Sequence, residues 1–310
     1  MKAMRLTQTA NGTVLVEADI LRPKPGEGEL VVKVFAAGVT PTEAIWYPTT
    51  HTKTGDPRKG AIPTHEFSGE IAEVGHGVTG FEPGQAVYGM NDWFADGALA
   101  EYCVTKPEWI AAKPKSLNHV DAASVPIGAL TAWQGLVDRA RLRPGERVLI
   151  QGGAGAVGVY AIQLAHWRGA HVAATVSAHN ARFAAELGAD KAIDYKSVPF
   201  DREAPDVDVV FDTVGGETLQ RSWSLLGPGG RMVTIAAGGD PAQDERTKKA
   251  FFIVEPNARQ LVEIGAMLDA GVIRAVVDRV VSLAEAPGVY AGTLKKRGRG
   301  RVVVSVAESA

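Results

Sequence analysis

Residues 148–165 read VLIQGGAGAVGVYAIQLA, and this stretch decides the fold. An apolar run, Val148–Ile150, leads into three glycines spaced G-x-G-x-x-G, at Gly153, Gly155 and Gly158. Val159, Ile162 and Leu164 follow at a spacing that suits a helix. A glycine-rich chain produces that spacing by chance, but here it follows a strand and opens a helix, which is the context that gives it meaning. The first glycine permits a tight turn, the second lets the backbone approach a pyrophosphate, and the third lets helix and strand pack closely. Phosphate then sits in the field of unpaired N–H groups at the helix start.

The chain on either side agrees with this reading. Strands are expected at 146–152, 171–176, 191–194, 206–216 and 230–236, with helices at 156–169 and 180–190 and a further one ending near Leu225. Such alternation implies right-handed crossovers and a parallel sheet covered on both faces. A long helical stretch is expected over 121–140, starting at Asp121. Residues 1–120 differ, with short apolar or alternating runs at 29–39, 66–75 and 85–90 punctuated by proline and glycine, which reads as β-structure. A last strand is expected at 301–306, where the tail can rejoin the first part.

Composition narrows the class. With 310 residues, 45% of them hydrophobic, the chain is long enough for two cores. A net charge of −2 gives no reason to expect nucleic acid or an anionic membrane as partner. The single cysteine, Cys103, rules out an internal disulfide and a cysteine cage for metal. No run approaches the ~20 apolar residues of a membrane span, and residues 1–12 lack the apolar core of a signal peptide. A soluble, cytoplasmic protein is expected. The one basic run, LKKRGRGR at 294–301, reads as a solvated turn before a strand.

The second strand of the α/β part ends in TVSAHNAR, with Ser177 where NAD-binding proteins usually keep an acid about 20 residues after the loop. A carboxylate there would repel a 2′-phosphate. Ser177, Arg182 in the next helix and Tyr195 after the third strand instead offer donors to one, so NADPH is the expected cofactor.

Eight segments in fixed order carry a wider likeness: AAGVTPTEA (36–44), HEFSGEIAEVGHGVTGFEPGQAVYG (65–89), GALAEYCV (97–104), GALTAWQGL (128–136), GGAGAVGVYAIQLA (152–165), ELGADKAIDYK (186–196), DVVFDTVGGETL (208–219) and PGGRMVTIA (228–236). Together they resemble the medium-chain dehydrogenase/reductase superfamily, most closely its zinc-independent quinone oxidoreductase branch. The resemblance implies an α/β protein with a Rossmann doubly wound parallel sheet and a GroES-like β-rich catalytic domain. The catalytic domain would span 1–123, completed by 257–310, and the NADPH-binding domain 124–256. It also implies a homodimer.

Carried across residue by residue, the dinucleotide loop falls on Gly153, Ala154, Gly155, Ala156, Val157 and Gly158, and the 2′-phosphate region on Ser177, Arg182 and Tyr195. Further cofactor contacts would come from Thr213, Val214 and Gly215, and from Ala236 and Ala237. Thr131 and the FFIV run, Phe251, Phe252, Ile253 and Val254, would lie beside the nicotinamide. The chain departs from the pattern at Thr40, where many members have asparagine, and at THEF, where quinone reductases more often have an aromatic residue and an aspartate.

His65–Glu66 raises the question of zinc, which in a catalytic site takes three protein ligands and leaves one position open. Zinc-dependent members of the resembling superfamily draw a cysteine from the segment that here reads AAGVTPTEA, and a third ligand from the one that here reads SVPIGAL. Neither segment has a cysteine, and the second has no carboxylate, so no metal is expected. A metal-free site suits a quinone, or an alkene conjugated to a carbonyl, because the oxyanion formed is resonance-stabilised; a simple ketone would want a Lewis acid. Tyr47 is the leading candidate donor to that oxyanion, with Thr40 and His65 behind it. Trp46, Trp93, Phe94 and Phe252 are candidates for a flat slot holding a planar apolar acceptor, or else for core. The alternatives are a non-catalytic NADPH-binding sensor or structural protein, and a relative of zinc-type alcohol dehydrogenases or enoyl reductases.

Overall fold

The computed structural model describes residues 1–9, 12–204, 206–236, 244–294 and 298–307. The chain divides into two compact units. The first comprises Met1–Ile127, Pro256–Arg297 and Arg301–Ala310, and the second Gly128–Glu255 with Gly298–Gly300.

In the second unit, five parallel strands among the described residues run in the order Lys191–Asp194, His171–Val176, Arg147–Gln151, Val207–Asp212, Leu226–Thr234. In chain order this is 3-2-1-4-5, so the sheet grows outward both ways from its first strand. Ligands of such sheets bind beyond the carboxyl ends of the strands, where the order reverses. Both faces are covered, which explains why the central strands are buried along nearly their whole length rather than at alternate residues. Leu149, Val210 and Ile193 pack with Phe200, Leu219 and Leu225 of the crossovers in one core cluster.

The long helix expected over 121–140 is interrupted. Asn118, not Asp121, caps the first piece, accepting a hydrogen bond from the Asp121 N–H at 2.8 Å. Helix then runs over His119–Ala123 and Pro126–Trp133 and widens to a π-helical turn at Gln134–Arg139. Proline suits a helix start and not its interior, which places the break at Pro126. At Gly135 an added Cβ would strike the Phe211 ring, so this backbone sits directly on the sheet.

In the main sheet of the first unit Leu30–Val39 is central. It pairs antiparallel with Glu66–Val74 on one side and with Arg301–Ser305 on the other. The tail does rejoin the first part, with Val303 opposite Gly38. Close backbone approach sets this region: a Cβ on Gly38 would lie 2.6 Å from both the Ala123 carbonyl oxygen and Glu66 Oε1. Among the described residues no helix is long and apolar enough to cross a membrane.

In the glycine turn, a Cβ on Gly158 would collide with the Gly152 carbonyl oxygen and lie 2.8 Å from the Gly153 Cα. Gly158→Ala should therefore destabilise the protein by about 1–3 kcal/mol, the usual cost of forcing extra volume into a packed site. Urea denaturation would measure it. Loss of dinucleotide binding should accompany it, because the turn must open to admit the methyl group.

Candidate functional site

The glycine turn joins the strand Arg147–Gln151 to the helix Gly158–Trp167. It is tied down from the side. Gly152 N–H donates to Thr175 Oγ1 at 3.0 Å, Gly153 N–H to the Thr175 carbonyl at 2.9 Å, and Gly155 N–H to the Gly152 carbonyl at 3.0 Å. Among the described residues no backbone acceptor takes the N–H groups of Ala154, Val157 or Gly158. Gly155 is exposed, and an added Cβ there would meet only the Gly152 oxygen, at 3.3 Å. Unpaired donors on an open surface at a helix start are what a pyrophosphate requires, so these residues fit a dinucleotide.

The loop ends around the turn fit too. Asp212, at the end of its strand, accepts from Thr234 Oγ1 at 2.8 Å and from the N–H groups of Gly215 and Val214 at 3.0 and 3.2 Å. Burial pushes its carboxyl above the usual range, against the pull of these donors. Asp212 thereby shapes the Thr213–Gly215 bend. Val214 and Ile253 are exposed, Ala236 is half-buried, and Phe252 is buried under the Arg139 guanidinium, 4.7 Å from its ring centre. Phe252 N–H holds the Thr234 carbonyl at 3.1 Å, which draws Phe251–Ile253 beside the last strand. Thr131 is buried in its helix. Ala237 lies outside the described residues.

Ser177 and Tyr195 follow neighbouring strands, with Asp194 in register with Val176, so both stand at the carboxyl edge of the sheet. Tyr195 is 54% exposed. The Arg182 side chain is 93% exposed and paired with Glu186 at 2.9 Å, one helical turn on.

In the first unit the candidate residues gather around buried charge. Glu43, His65 and Glu66 are each 0% exposed. Glu43 Oε2 meets His65 Nδ1 at 2.6 Å, while its Oε1 accepts from Thr64 N–H at 2.8 Å and from the Tyr290 hydroxyl at 2.7 Å. The other ring nitrogen of His65 faces the Ala95 carbonyl at 3.2 Å. Both ring nitrogens thus face oxygen atoms of neighbouring groups. Tyr290 is pushed well above the usual tyrosine range by burial and by the Glu43 charge, which keeps it a neutral donor. Thr64 sits at φ 70°, a region costly for a β-branched residue, held there by Glu43 and Tyr290.

Glu66 has its own partners. Oε2 accepts from Ile127 N–H at 2.7 Å, and Oε1 faces Arg301 Nε at an ion-pair distance of 2.6 Å. Arg301 Nη1 also donates to Thr40 Oγ1 at 2.8 Å. Arg301, the last residue of the basic run, departs from the solvated-turn reading: it is 6% exposed, because a carboxylate buried at Glu66 requires a cation beside it. Residues 295–297 lie outside the described residues.

Trp93 stands between His65 and Trp46, 5.0 Å from each ring. Trp46 is half-buried and Trp93 buried. Tyr47 is 55% exposed and stacks on His51 at 4.6 Å with the rings nearly parallel. Of the three candidate donors only Tyr47 presents itself to solvent. Thr40 is bound to Arg301, and His65 is enclosed.

These residues do not fit a catalytic zinc. The His65 nitrogens are both engaged, Glu66 is taken by Arg301, position 40 offers a hydroxyl, and a guanidinium occupies the centre of the group. Among the described residues no group of three or more His, Cys, Asp or Glu side chains is placed to hold a metal.

Residues 26–115 match the family model for the alcohol dehydrogenase GroES-like domain, and residues 187–304 that for zinc-binding dehydrogenases. The chain is 33% identical to a mitochondrial NAD(P)H oxidoreductase, RTN4IP1, of Danio rerio, over 90% of its own length and 84% of the relative's. The chain belongs to the medium-chain dehydrogenase/reductase superfamily. A chloroplastic NADPH-dependent alkenal/one oxidoreductase of Arabidopsis thaliana is 31% identical over 85% of this chain and 68% of its own. Among solved structures of the superfamily, the quinone oxidoreductase of Coxiella burnetii superposes with a TM-score of 0.87 at 28% identity, covering 99% of both chains. The cytoplasmic expectation draws no support from relatives with organellar names.

Sequence reasoning did not single out Glu43, Tyr290, Arg301 or Asp212. Glu43 had a readable signal, a lone acid in the apolar segment TPTEAIW beside the candidate ligand positions.

Burial raises the Glu66 carboxyl to about 7, with Arg301 and the Ile127 N–H opposing the rise. A carboxyl raised in the folded state contributes stability that is present at acid pH and lost as pH rises through the folded value. Arg301→Leu should cost about 3–5 kcal/mol at pH 8, where Glu66 is left charged and unpaired, and clearly less at pH 5, where it holds a proton. Denaturation curves at the two pH values would check this.

Proposed function

We propose that this protein is an NADPH-dependent oxidoreductase that reduces a quinone or an activated alkene conjugated to a carbonyl, without a metal ion. The observation that carries the metal-free reading is Arg301: its guanidinium pairs with Glu66 and binds Thr40, supplying at this position the positive charge that a metal would. The activities for which an alkenal/one oxidoreductase and a quinone oxidoreductase among the relatives are named support the acceptor class.

NADPH, when bound, supplies a hydride from its nicotinamide ring. The chain's own residues do the rest. Amides of the turn 154–158 bind the pyrophosphate, and Ser177, with no acid in its place, tolerates a 2′-phosphate. The Tyr47 hydroxyl donates a hydrogen bond to the oxyanion as it develops on the acceptor. Trp46, half-buried, offers flat apolar surface to a planar ring, with the buried Trp93 packed behind it. His65, Glu43 and Tyr290 act as a rigid frame behind Trp93 and not as donors to the substrate.

An acceptor panel of quinones, enones, aldehydes and simple alcohols, run with both nicotinamide cofactors, tests the reading. NADPH should be oxidised with quinones and enones and not with alcohol–ketone pairs. Tight NADPH binding with no turnover on any acceptor would instead make this a non-catalytic binding protein. Protein purified without added zinc should carry well under one zinc per chain, and chelators should leave turnover unchanged. Stoichiometric zinc would overturn the metal-free reading.

Tyr47→Phe should lower enone turnover more than quinone turnover, because an enolate depends on an external donor while a quinone-derived oxyanion already spreads its charge. Loss of one dedicated oxyanion donor costs about 10²–10³ in turnover, and a solvent-open tyrosine should cost less. Single-turnover hydride transfer with both acceptor classes would decide, and equal small effects would make Tyr47 a wall only.

A further inference from the structure

In the first unit a cavity of about 480 Å³ lies between the strand that holds Leu6 and the loop 49–61. That volume falls within the ~300–1,000 Å³ of small-molecule sites. Leu6, Ala44, Pro57 and Ala61 give it apolar wall, and no Asp or Glu lines it. Its frame is fixed by backbone bonds: Leu6 N–H donates to the Ala61 carbonyl at 2.9 Å, and Arg58 N–H to the Thr50 carbonyl at 2.8 Å. Two polar groups on the wall are left over. Thr49 is 2% exposed, and its hydroxyl has no hydrogen-bond partner among the described residues. A hydroxyl buried without a partner is costly, and each one calls for an explanation. Lys59 is exposed, and its ammonium makes no ion pair among the described residues, whereas the adjoining Arg58 is bound to Asp96 at 2.7 Å. His51 also lines the cavity, and its ring lies 4.6 Å from that of Tyr47, within 5° of parallel.

We propose that this cavity is a second small-molecule site, which takes a compact apolar acid: a ring or short chain carrying one carboxylate. The apolar part is covered by Leu6 and Ala61, buried residues held in place without the ligand, so binding requires little ordering. The carboxylate brings acceptor oxygens, and the Thr49 hydroxyl and the Lys59 ammonium are donors that lack one. Neither Trp46 nor Trp93 lines the cavity, which separates it from the acceptor slot. Because His51 belongs both to the cavity wall and to the Tyr47 stack, an occupant also bears on Tyr47. This coupling, unlike the binding itself, rests on the donor role given to Tyr47 in the preceding section.

The test is calorimetric titration of phenylacetate and its neutral counterpart phenylacetamide into the full chain and its Thr49→Val, Lys59→Gln and Lys53→Gln variants, with and without NADPH. Phenylacetate should bind at one site per chain, about tenfold more tightly than phenylacetamide, as one charge-assisted hydrogen bond implies. Thr49→Val keeps the shape and should weaken both probes about threefold to tenfold. It should not lower the denaturation midpoint, since the hydroxyl has no partner to lose. Lys59→Gln should bring phenylacetate down to the affinity of the amide. Lys53→Gln removes a charge of the same loop that does not line the cavity, and should change neither probe. Saturating phenylacetate should alter kcat for an enone and leave its KM unchanged. Absence of saturable binding, equal affinities across the variants, or competition with the acceptor would overturn the site. An unchanged kcat would overturn the coupling to Tyr47 and leave the site standing. A chain that turns over no acceptor would overturn the reading of the preceding section and the coupling with it, while the titrations still decide the site.

Discussion

The buried pairing of Glu66 with Arg301 is the constraint around which the first unit is arranged. An unpaired carboxylate at full burial costs several kcal/mol, so the unit must bring a cation to it. The cation comes from the other end of the chain, and the strand Arg301–Ser305 that carries it seals the edge of Leu30–Val39. Because Arg301 also holds Thr40, the start of the Thr40–Thr50 segment bearing Trp46 and Tyr47 is fixed by the same side chain. A second buried pair, Glu43 with His65, fastens the middle of that segment. Two buried polar pairs therefore position the aromatic residues, and neither pair needs to touch an acceptor to matter.

The second unit is ordered by a steric constraint instead of an electrostatic one. Its glycine turn is so tight that a single methyl group at Gly158 would meet backbone. That tightness leaves the Ala154, Val157 and Gly158 amides without backbone partners among the described residues, and the same geometry makes them available to phosphate. Asp212 performs the matching task one strand away by drawing the Val214 and Gly215 amides onto its carboxyl group. Strand ends that lack internal partners become binding groups, and strand ends that possess them become walls.

The polar atoms of His65 and Glu66, the pair that raises the question of zinc, are committed to Glu43, Ala95, Ile127 and Arg301. A guanidinium delivers one positive charge through directed donors, which stabilises the buried carboxylate without offering an open coordination position.

The α/β half of the fold was legible in the sequence, because the strand lengths, the glycine spacing and the two-face burial of a parallel sheet are local patterns. The strand HVAATV and the strand KAID fall where their residues suggest, at His171–Val176 and Lys191–Asp194. The glycine turn was legible for the same reason, since its chemistry lies within six consecutive residues. Which side chains serve a site was not. Arg182 and Arg299 are equally basic letters, and only the fold shows that one meets Glu186 while the other is clasped by Asn180, 119 positions away. His65 stands behind Tyr47 as a candidate donor in the sequence, and only its burial shows that it is enclosed. The sequence by itself determined the elements and the phosphate turn, where neighbours in the chain are neighbours in space. Tertiary structure alone decided the charge partners, because electrostatic pairing acts through distance in space, which residue order does not record.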